Sequence, residues 1–246
     1  MVCEESVTEF ETNAVVINGL QKSLGEKTVI NGISFSIPHN TIYSIIGPNG
    51  AGKTTLIRLI LKLLNKDEGA VYYAHGEDKL AALLENDYLY ETKTGWENIM
   101  FFHGYFNSEE KEYIIQAKKY VKQLQLDTAI DCKVATYSKG MKRKLSLIIV
   151  LLRNMPVLIL DEPTSGIDPV SRVLIRNLLS QLKKDGKTIL LTSHDLSEIE
   201  KCSDYISILK EGKIIETFCN DKGAIDLEER FLKLIGEVEV ENEKQY

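Results

Sequence analysis

Apolar positions along the chain fall into short unbroken runs that alternate with stripes at helical spacing. Residues 41–46 (Thr-Ile-Tyr-Ser-Ile-Ile) read as a buried strand, and Leu56, Ile57, Leu59, Ile60, Leu63 and Leu64 recur after it as one helix face. Residues 155–160 (Met-Pro-Val-Leu-Ile-Leu) form a second run that ends in Asp161 and Glu162, the pattern of a fully buried parallel strand with carboxylates at its C-terminal end. A helix is expected next, with Val173, Leu174, Leu178, Leu179 and Leu182 on its apolar face and Gly186 ending it. Residues 188–192 then read as another buried strand, leading to Ser193 and His194. Upstream, residues 15–17 and the alternating 33–37 (Ile-Ser-Phe-Ser-Ile) predict strands, with a turn at Gly25-Glu26-Lys27 between them. Residues 69–90 look irregular, and residues 96–126 read as helical, with Tyr113, Ile114, Ala117, Tyr120, Val121 and Leu124 as a packing stripe. Residues 205–209 and 213–215 flank Lys-Glu-Gly as a hairpin, and residues 227–236 predict a last helix. Segments 1–12 and 237–246 are polar and acidic and read as loose tails. Strands alternating with helices indicate an α/β domain whose sheet is mainly parallel, with its site at the strand C-termini.

Between the first buried strand and its helix lie Gly47, Pro48, Asn49, Gly50, Ala51, Gly52, Lys53, Thr54 and Thr55, which fit the pattern G-x-x-x-x-G-K-[ST]. Strand, glycine loop and helix is the context in which this pattern binds phosphate. The glycines let successive N–H groups curl toward phosphate oxygens at the positive end of the helix. Lys53 is placed for the terminal phosphates and Thr54 for Mg²⁺, which implies a nucleoside triphosphate. Asp161 is the natural metal partner opposite Thr54. Glu162, pointing the other way by strand alternation, is placed to polarise an attacking water. His194, at the end of the next strand, is expected to reach the γ-phosphate or Glu162.

Composition narrows the setting. The chain has 246 residues, 43% of them hydrophobic and 27% charged, enough for one large domain with an adequate core. A net charge of -6 argues against a nucleic-acid binder. Cys3, Cys132, Cys202 and Cys219 show no C-x-x-C pairing and read as free thiols in a reducing compartment. The acidic N-terminus is unlike a signal peptide. The longest apolar stretch, residues 147–152, is far shorter than the ~20 residues of a membrane-crossing helix, so the chain is not expected to cross a membrane itself.

Four segments taken together resemble the nucleotide-binding subunit of an ABC transporter. They are the loop 47–55, residues 137–144 (Tyr-Ser-Lys-Gly-Met-Lys-Arg-Lys), residues 158–168 (Leu-Ile-Leu-Asp-Glu-Pro-Thr-Ser-Gly-Ile-Asp) and residues 192–195 (Thr-Ser-His-Asp). The resemblance runs from about residue 15 to residue 236. It implies a P-loop NTPase core with a mainly parallel sheet, an N-terminal antiparallel β lobe and a helical signature subdomain at about 86–150, all within a single ABC ATPase domain, 1–246. It also implies ATP and Mg²⁺ as ligands, with Lys53, Glu162 and His194 catalytic. Ser138 and Gly140 match the segment that caps the γ-phosphate of a second subunit, and Asp168 matches the loop crossing that interface. The second copy, or a homologous ATPase subunit, would therefore close head-to-tail around two ATP molecules. A membrane-spanning transporter subunit is the further implied partner. That partner would hold this chain, itself cytoplasmic, at the inner face of the cell membrane. The aromatic residues Trp96, Phe101, Phe102, Tyr105 and Phe106 are expected to divide between core and the groove for that partner.

The chain departs from the family pattern at three places. Tyr137 and Lys139 stand in the signature where the family has Leu and Gly, and Lys139 is expected to point to solvent. Leu24 replaces the aromatic that stacks on adenine. Glu85 occupies the place of the family's glutamine and could ligate Mg²⁺ through oxygen. That glutamate, with Thr94 to Asn98, is similar to the subgroup serving bacitracin-type resistance and lantibiotic self-immunity, which implies export of drug or peptide cargo. The competing readings are a soluble ABC-type ATPase without a membrane partner, as in cluster assembly, a non-hydrolysing regulatory module, and a phosphoryl-transfer kinase.

Overall fold

A computed structural model describes residues 11–106, 109–221 and 226–243, with side-chain surroundings given through residue 236. Strands β1 (Asn13–Leu24) and β2 (Lys27–Pro38) form the expected hairpin, turning where Gly25 adopts φ +61°. β3 (Ile42–Ile46) then leaves for a second sheet and leads through the glycine loop into α1 (Lys53–Ile60). β4 (Glu68–Tyr73) returns to pair antiparallel with β1, completing a three-stranded sheet in the order β2-β1-β4. β5 (Leu80–Leu83) precedes three helices, α2 (Gly95–His103), α3 (Glu110–Gln123) and α4 (Lys139–Leu152). The remaining elements are β6 (Val157–Asp161), α5 (Pro169–Lys184), β7 (Thr188–Ser193), α6 (Leu196–Cys202), β8 (Tyr205–Lys210), β9 (Lys213–Cys219) and α7 (Leu227–Glu243).

The main sheet has the order β5-β6-β7-β3-β8-β9, parallel throughout except for the β8–β9 hairpin. Every residue of β3, β6 and β7 is buried, which is why their sequences are continuous apolar runs and not alternating ones. Alternate side chains divide between two cores. Ile42 and Ile46 of β3 face α4, α5 and the rest of the helical side, whereas Tyr43 and Ile45 face α1 and the antiparallel lobe. The expected α/β architecture with an N-terminal β lobe is therefore present. Cys132 and Cys219 are exposed free thiols, Cys202 is buried, and Cys3 lies outside the described residues.

Three expectations about elements change. Residues 69–90 are not irregular throughout: they contain most of β4 and all of β5. β4 is an edge strand without a clean buried alternation, and β5 has only four residues, too few to display a period. The stretch 96–126 is two helices. Gly104 caps α2, and α3 packs back so that Tyr113 Oη donates to the Ile99 carbonyl at 2.8 Å. The last helix passes Gly236 and runs to Glu243, so residues 237–243 are helical backbone and not a loose tail. The other tail, 1–12, falls outside the described residues except for Glu11 and Thr12, as do residues 244–246.

A local device orders the segment between β5 and α2. Thr94 and Glu97 form a reciprocal capping box at the start of α2. One turn on, fully buried Asn98 accepts from the Tyr90 N–H and donates to the Tyr90 and Thr94 carbonyls. Asn98→Ala would leave the Tyr90 N–H unpaired, while the Tyr90 and Thr94 carbonyls keep the Lys93 and Asn98 backbone N–H donors, and it is expected to lower the unfolding free energy by about 1–3 kcal/mol. A denaturant midpoint unchanged from wild type would show that the three bonds contribute nothing net.

Candidate active site

Register brings the site together. In the parallel sheet Ile46 lies opposite Ser193, and Asp161 lies opposite Thr192. The C-terminal ends of β3, β6 and β7 are therefore level, and the glycine loop, Asp161-Glu162 and Ser193-His194 leave the sheet at the same edge. The loop itself is possible only with glycine at two close approaches. A Cβ on Gly47 would stand 2.2 Å from the Leu209 carbonyl oxygen, and Gly52 holds φ +110° with the Val29 carbonyl 2.9 Å from where its Cβ would be. No side chain caps the N-terminus of α1, so its first amides remain available to an anion at the positive end of the helix.

Lys53, the first residue of α1, is buried and turns back over the loop. Its Nζ donates to the Gly47 carbonyl at 2.7 Å and to the Pro48 carbonyl at 3.2 Å. Burial pushes the Lys53 ammonium below the usual lysine range, against the opposing pull of the Glu162 and Asp161 charges. The lysine is thus both a brace for the cradle and a cation beside it. Thr54 and Thr55 follow it, half-buried.

Asp161 is only 1% exposed. Its Oδ1 accepts from Thr192 Oγ1 at 2.6 Å, while its Oδ2 is buried without a hydrogen-bond partner. An orphaned, buried carboxylate oxygen is the donor chemistry a hard divalent cation takes. Among the described residues no three His, Cys, Asp or Glu side chains gather as a metal site. An ion here would therefore complete its shell with phosphate, hydroxyl and water oxygens, as Mg²⁺ commonly does. Thr192, which the sequence reading did not single out, also accepts from the Glu162 N–H at 3.2 Å. One hydroxyl thereby links both carboxylate residues.

Glu162 is not aimed by strand alternation, as the sequence leads one to expect. β6 ends at Asp161, and Glu162 takes the left-handed conformation, φ +50°, which turns its side chain out of the pleat. Its Oε2 lies 2.8 Å from His194 Nδ1. Of the two destinations expected for His194, this one is occupied. The histidine is 60% exposed and Glu162 17%, so the pair closes one side of the site while its outer edge stays open.

Ser138, Gly140 and Asp168 gather at a second place. Ser138 caps α4, accepting from the Met141 N–H at 3.2 Å, and Asp168 caps α5, accepting from the Ser171 N–H at 2.9 Å. The Ser171 N–H holds the Asp168 carboxyl below its ordinary range, with a smaller pull from the Lys144 charge. Gly140 lets the two helix starts meet: its Cβ would come 3.0 Å from Ile167 Cγ2. The Lys139 side chain is exposed, as its place in the sequence leads one to expect, but its stem does not stand clear of the protein. It lies across Gly166, whose Cβ would meet Lys139 Nζ at 2.9 Å. Tyr137 is buried and donates from Oη to the Ala129 carbonyl at 2.7 Å. Glu85 is exposed just beyond β5, and Leu24 is 49% exposed at the tip of the β1–β2 hairpin. A buried arginine on α4, Arg143, also reaches this edge of the sheet; it lies within the segment 137–144, but that pattern assigned it no role of its own.

Comparison with known proteins agrees with this geometry. Residues 30–165 match the family model described as ABC transporter. The chain is 33% identical over 221 residues to the lantibiotic transport ATP-binding protein SrtF of Streptococcus pyogenes, covering 87% of this chain and 94% of that protein. It is 35% identical over 205 residues to the Nod factor export ATP-binding protein I of Burkholderia lata, covering 80% of this chain and 67% of that one. A solved structure described as an ATP-binding subunit of an ABC transporter superposes with a TM-score of 0.81 at 27% identity, covering 90% of this chain and 99% of that one. Among the described residues no helix is long and apolar enough to cross a membrane. The phosphate cradle, the carboxylates level with it and these matches together establish that the chain belongs to the ABC transporter family, as its ATP-binding, ATP-hydrolysing subunit.

Proposed function

We propose that this chain hydrolyses ATP to drive a separate membrane-spanning exporter of drug-like or peptide cargo. The observation carrying the catalytic part is the level edge at which Lys53, Asp161, Glu162 and His194 surround the glycine loop. The amides of residues 47–55 and the α1 N-terminus bind the phosphates, and Lys53 neutralises charge at the terminal one. Thr54 and the free Oδ2 of Asp161 would hold Mg²⁺, with Glu85 as a further oxygen ligand, and the ion would screen the charge on the phosphates. Glu162 orients and polarises the attacking water, and His194 holds the Glu162 carboxylate in place. Ser138 and Gly140 at the start of α4, with Asp168 beside them, serve the ATP of a second subunit in a head-to-tail dimer.

Residues 86–150, carrying α2, α3 and most of α4, act as a helical subdomain within the single domain 1–246. On it a surface cleft of about 420 Å³ is lined by Tyr90, Phe101, Phe102, Tyr105, Phe106 and Arg153. Trp96 packs instead against the core. The cleft fits a cytoplasmic helix of the membrane partner, and that contact would hold the chain at the inner face of the cell membrane. Export is supported by the relatives, whose names speak of lantibiotic transport and Nod factor export. Neither the fold nor the charge of -6 points to nucleic acid. A soluble ATPase working in cluster assembly is the disfavoured alternative.

Affinity purification of the tagged chain from gently solubilised native membranes tests the reading. Recovery of a stoichiometric multi-span protein is expected; recovery from the soluble fraction alone, or with soluble partners, would reverse it in favour of the alternative. Glu85→Gln provides a narrower check. Partner-coupled turnover should change about fivefold or more while basal ATP affinity holds. No change in turnover would leave Glu85 an ordinary loop residue.

A further inference from the structure

We propose that Arg143 is a positioning residue that ties the Glu85 loop to Glu162, so that displacement of the one is felt at the other. The proposal rests on the reading of Glu162 as the group that orients water. It begins with register: Leu83 of β5 lies opposite Leu160 of β6 in parallel, so the chain beyond both strands emerges side by side. The carbonyls there have passed the end of the ladder and need other donors. Arg143 supplies them. It projects from α4, 4% exposed, and its guanidinium divides between the two segments.

Nη1 donates to the Leu84 carbonyl at 2.5 Å, to the Glu85 carbonyl at 3.4 Å and to Asp87 Oδ1 at 3.2 Å. Nη2 donates to the Asp161 carbonyl and, at 3.1 Å, to the Glu162 carbonyl. A planar fork with fixed N–H directions spans two strand ends; an ammonium, a single point of charge, does not. Glu162 needs such a hold, because its left-handed backbone is disfavoured for any residue but glycine. Its carbonyl accepts from both Arg143 and the Ser165 N–H, and its own N–H is held by Thr192. The ionic partner, Asp87, sits two residues beyond Glu85 in the same loop. A shift of that loop therefore pulls on the guanidinium, and the guanidinium pulls on the backbone that aims the Glu162 carboxylate.

The test compares Arg143→Lys, Asp87→Asn and their combination in the full chain, by steady-state ATP hydrolysis, ATP binding and thermal unfolding, with Glu162→Gln alongside. Arg143→Lys is expected to lower kcat between about 10- and 100-fold while KM for ATP stays within about twofold. Asp87→Asn should lower kcat less, and the double variant should be no worse than Arg143→Lys alone, because both act through one fork. If Arg143→Lys does not fold, Asp87→Asn carries the test, since it keeps the arginine. Wild-type kcat in either folded variant, with only the unfolding midpoint lowered, would reduce Arg143 to a structural tie and overturn the proposal. Full hydrolysis in Glu162→Gln would overturn the underlying reading of Glu162 and the proposal with it. An inactive Glu162→Gln beside a fully active Arg143→Lys would overturn the proposal alone.

Discussion

Glu162→Gln is expected to lower ATP hydrolysis by about 100-fold or more, the usual scale of a positioned general base, while ATP still binds. The substitution keeps size, burial and a hydrogen-bond partner for His194 Nδ1 2.8 Å away, and removes only the charge. Loss of that charge weakens the polarisation of water without disturbing the cradle that Lys53 braces. It also removes one carboxylate from the field around the phosphates, so ATP affinity should hold or rise. With hydrolysis blocked, the ATP-bridged dimer should persist, because ATP bridges two subunits only in the closed state. Phosphate release, equilibrium ATP binding and size-exclusion chromatography in ATP read these effects. A wild-type rate of phosphate release would remove Glu162 from the mechanism.

Lys53→Ala should lose ATP affinity by about tenfold or more, since charge-assisted bonds to phosphate are roughly twice as strong as neutral ones and several are lost together. Two effects add. The cation beside the terminal phosphate disappears, and the Gly47 and Pro48 carbonyls lose the donor that holds the loop closed. The first depends on the ligand and the second does not, so the loss measured by calorimetry should be larger for ATP than for AMP. Unchanged ATP affinity in the folded variant would contradict the phosphate-loop assignment, and equal losses for both nucleotides would assign Lys53 to the loop alone.

Much of the phosphate side of the site was legible in the chain because its determinants are local. A glycine loop between a buried strand and a helix occupies nine consecutive residues, 47–55, and its chemistry follows from their order. Asp161 and His194 were legible for a related reason: each terminates an apolar run, and strand ends of a parallel sheet converge on one edge. What escaped was whatever depends on distant segments meeting. Thr192 reads as the last residue of a strand, and its hydroxyl gains meaning only opposite Asp161. Lys139 reads as a surface lysine and is one, yet its stem passes over Gly166, a contact that only the fold brings about.

By itself, then, the sequence determined that this is an α/β ATPase with a glycine loop, two carboxylates and a histidine at strand ends, because burial and backbone geometry act over a few residues. Tertiary structure alone decided the rest: the left-handed turn that aims Glu162, the free oxygen of Asp161, and the fork of Arg143 across two strands. The physical reason is one of range. Hydrophobic periodicity is written along the chain, whereas a buried hydrogen bond is settled by which donors and acceptors the register of the sheet leaves facing one another.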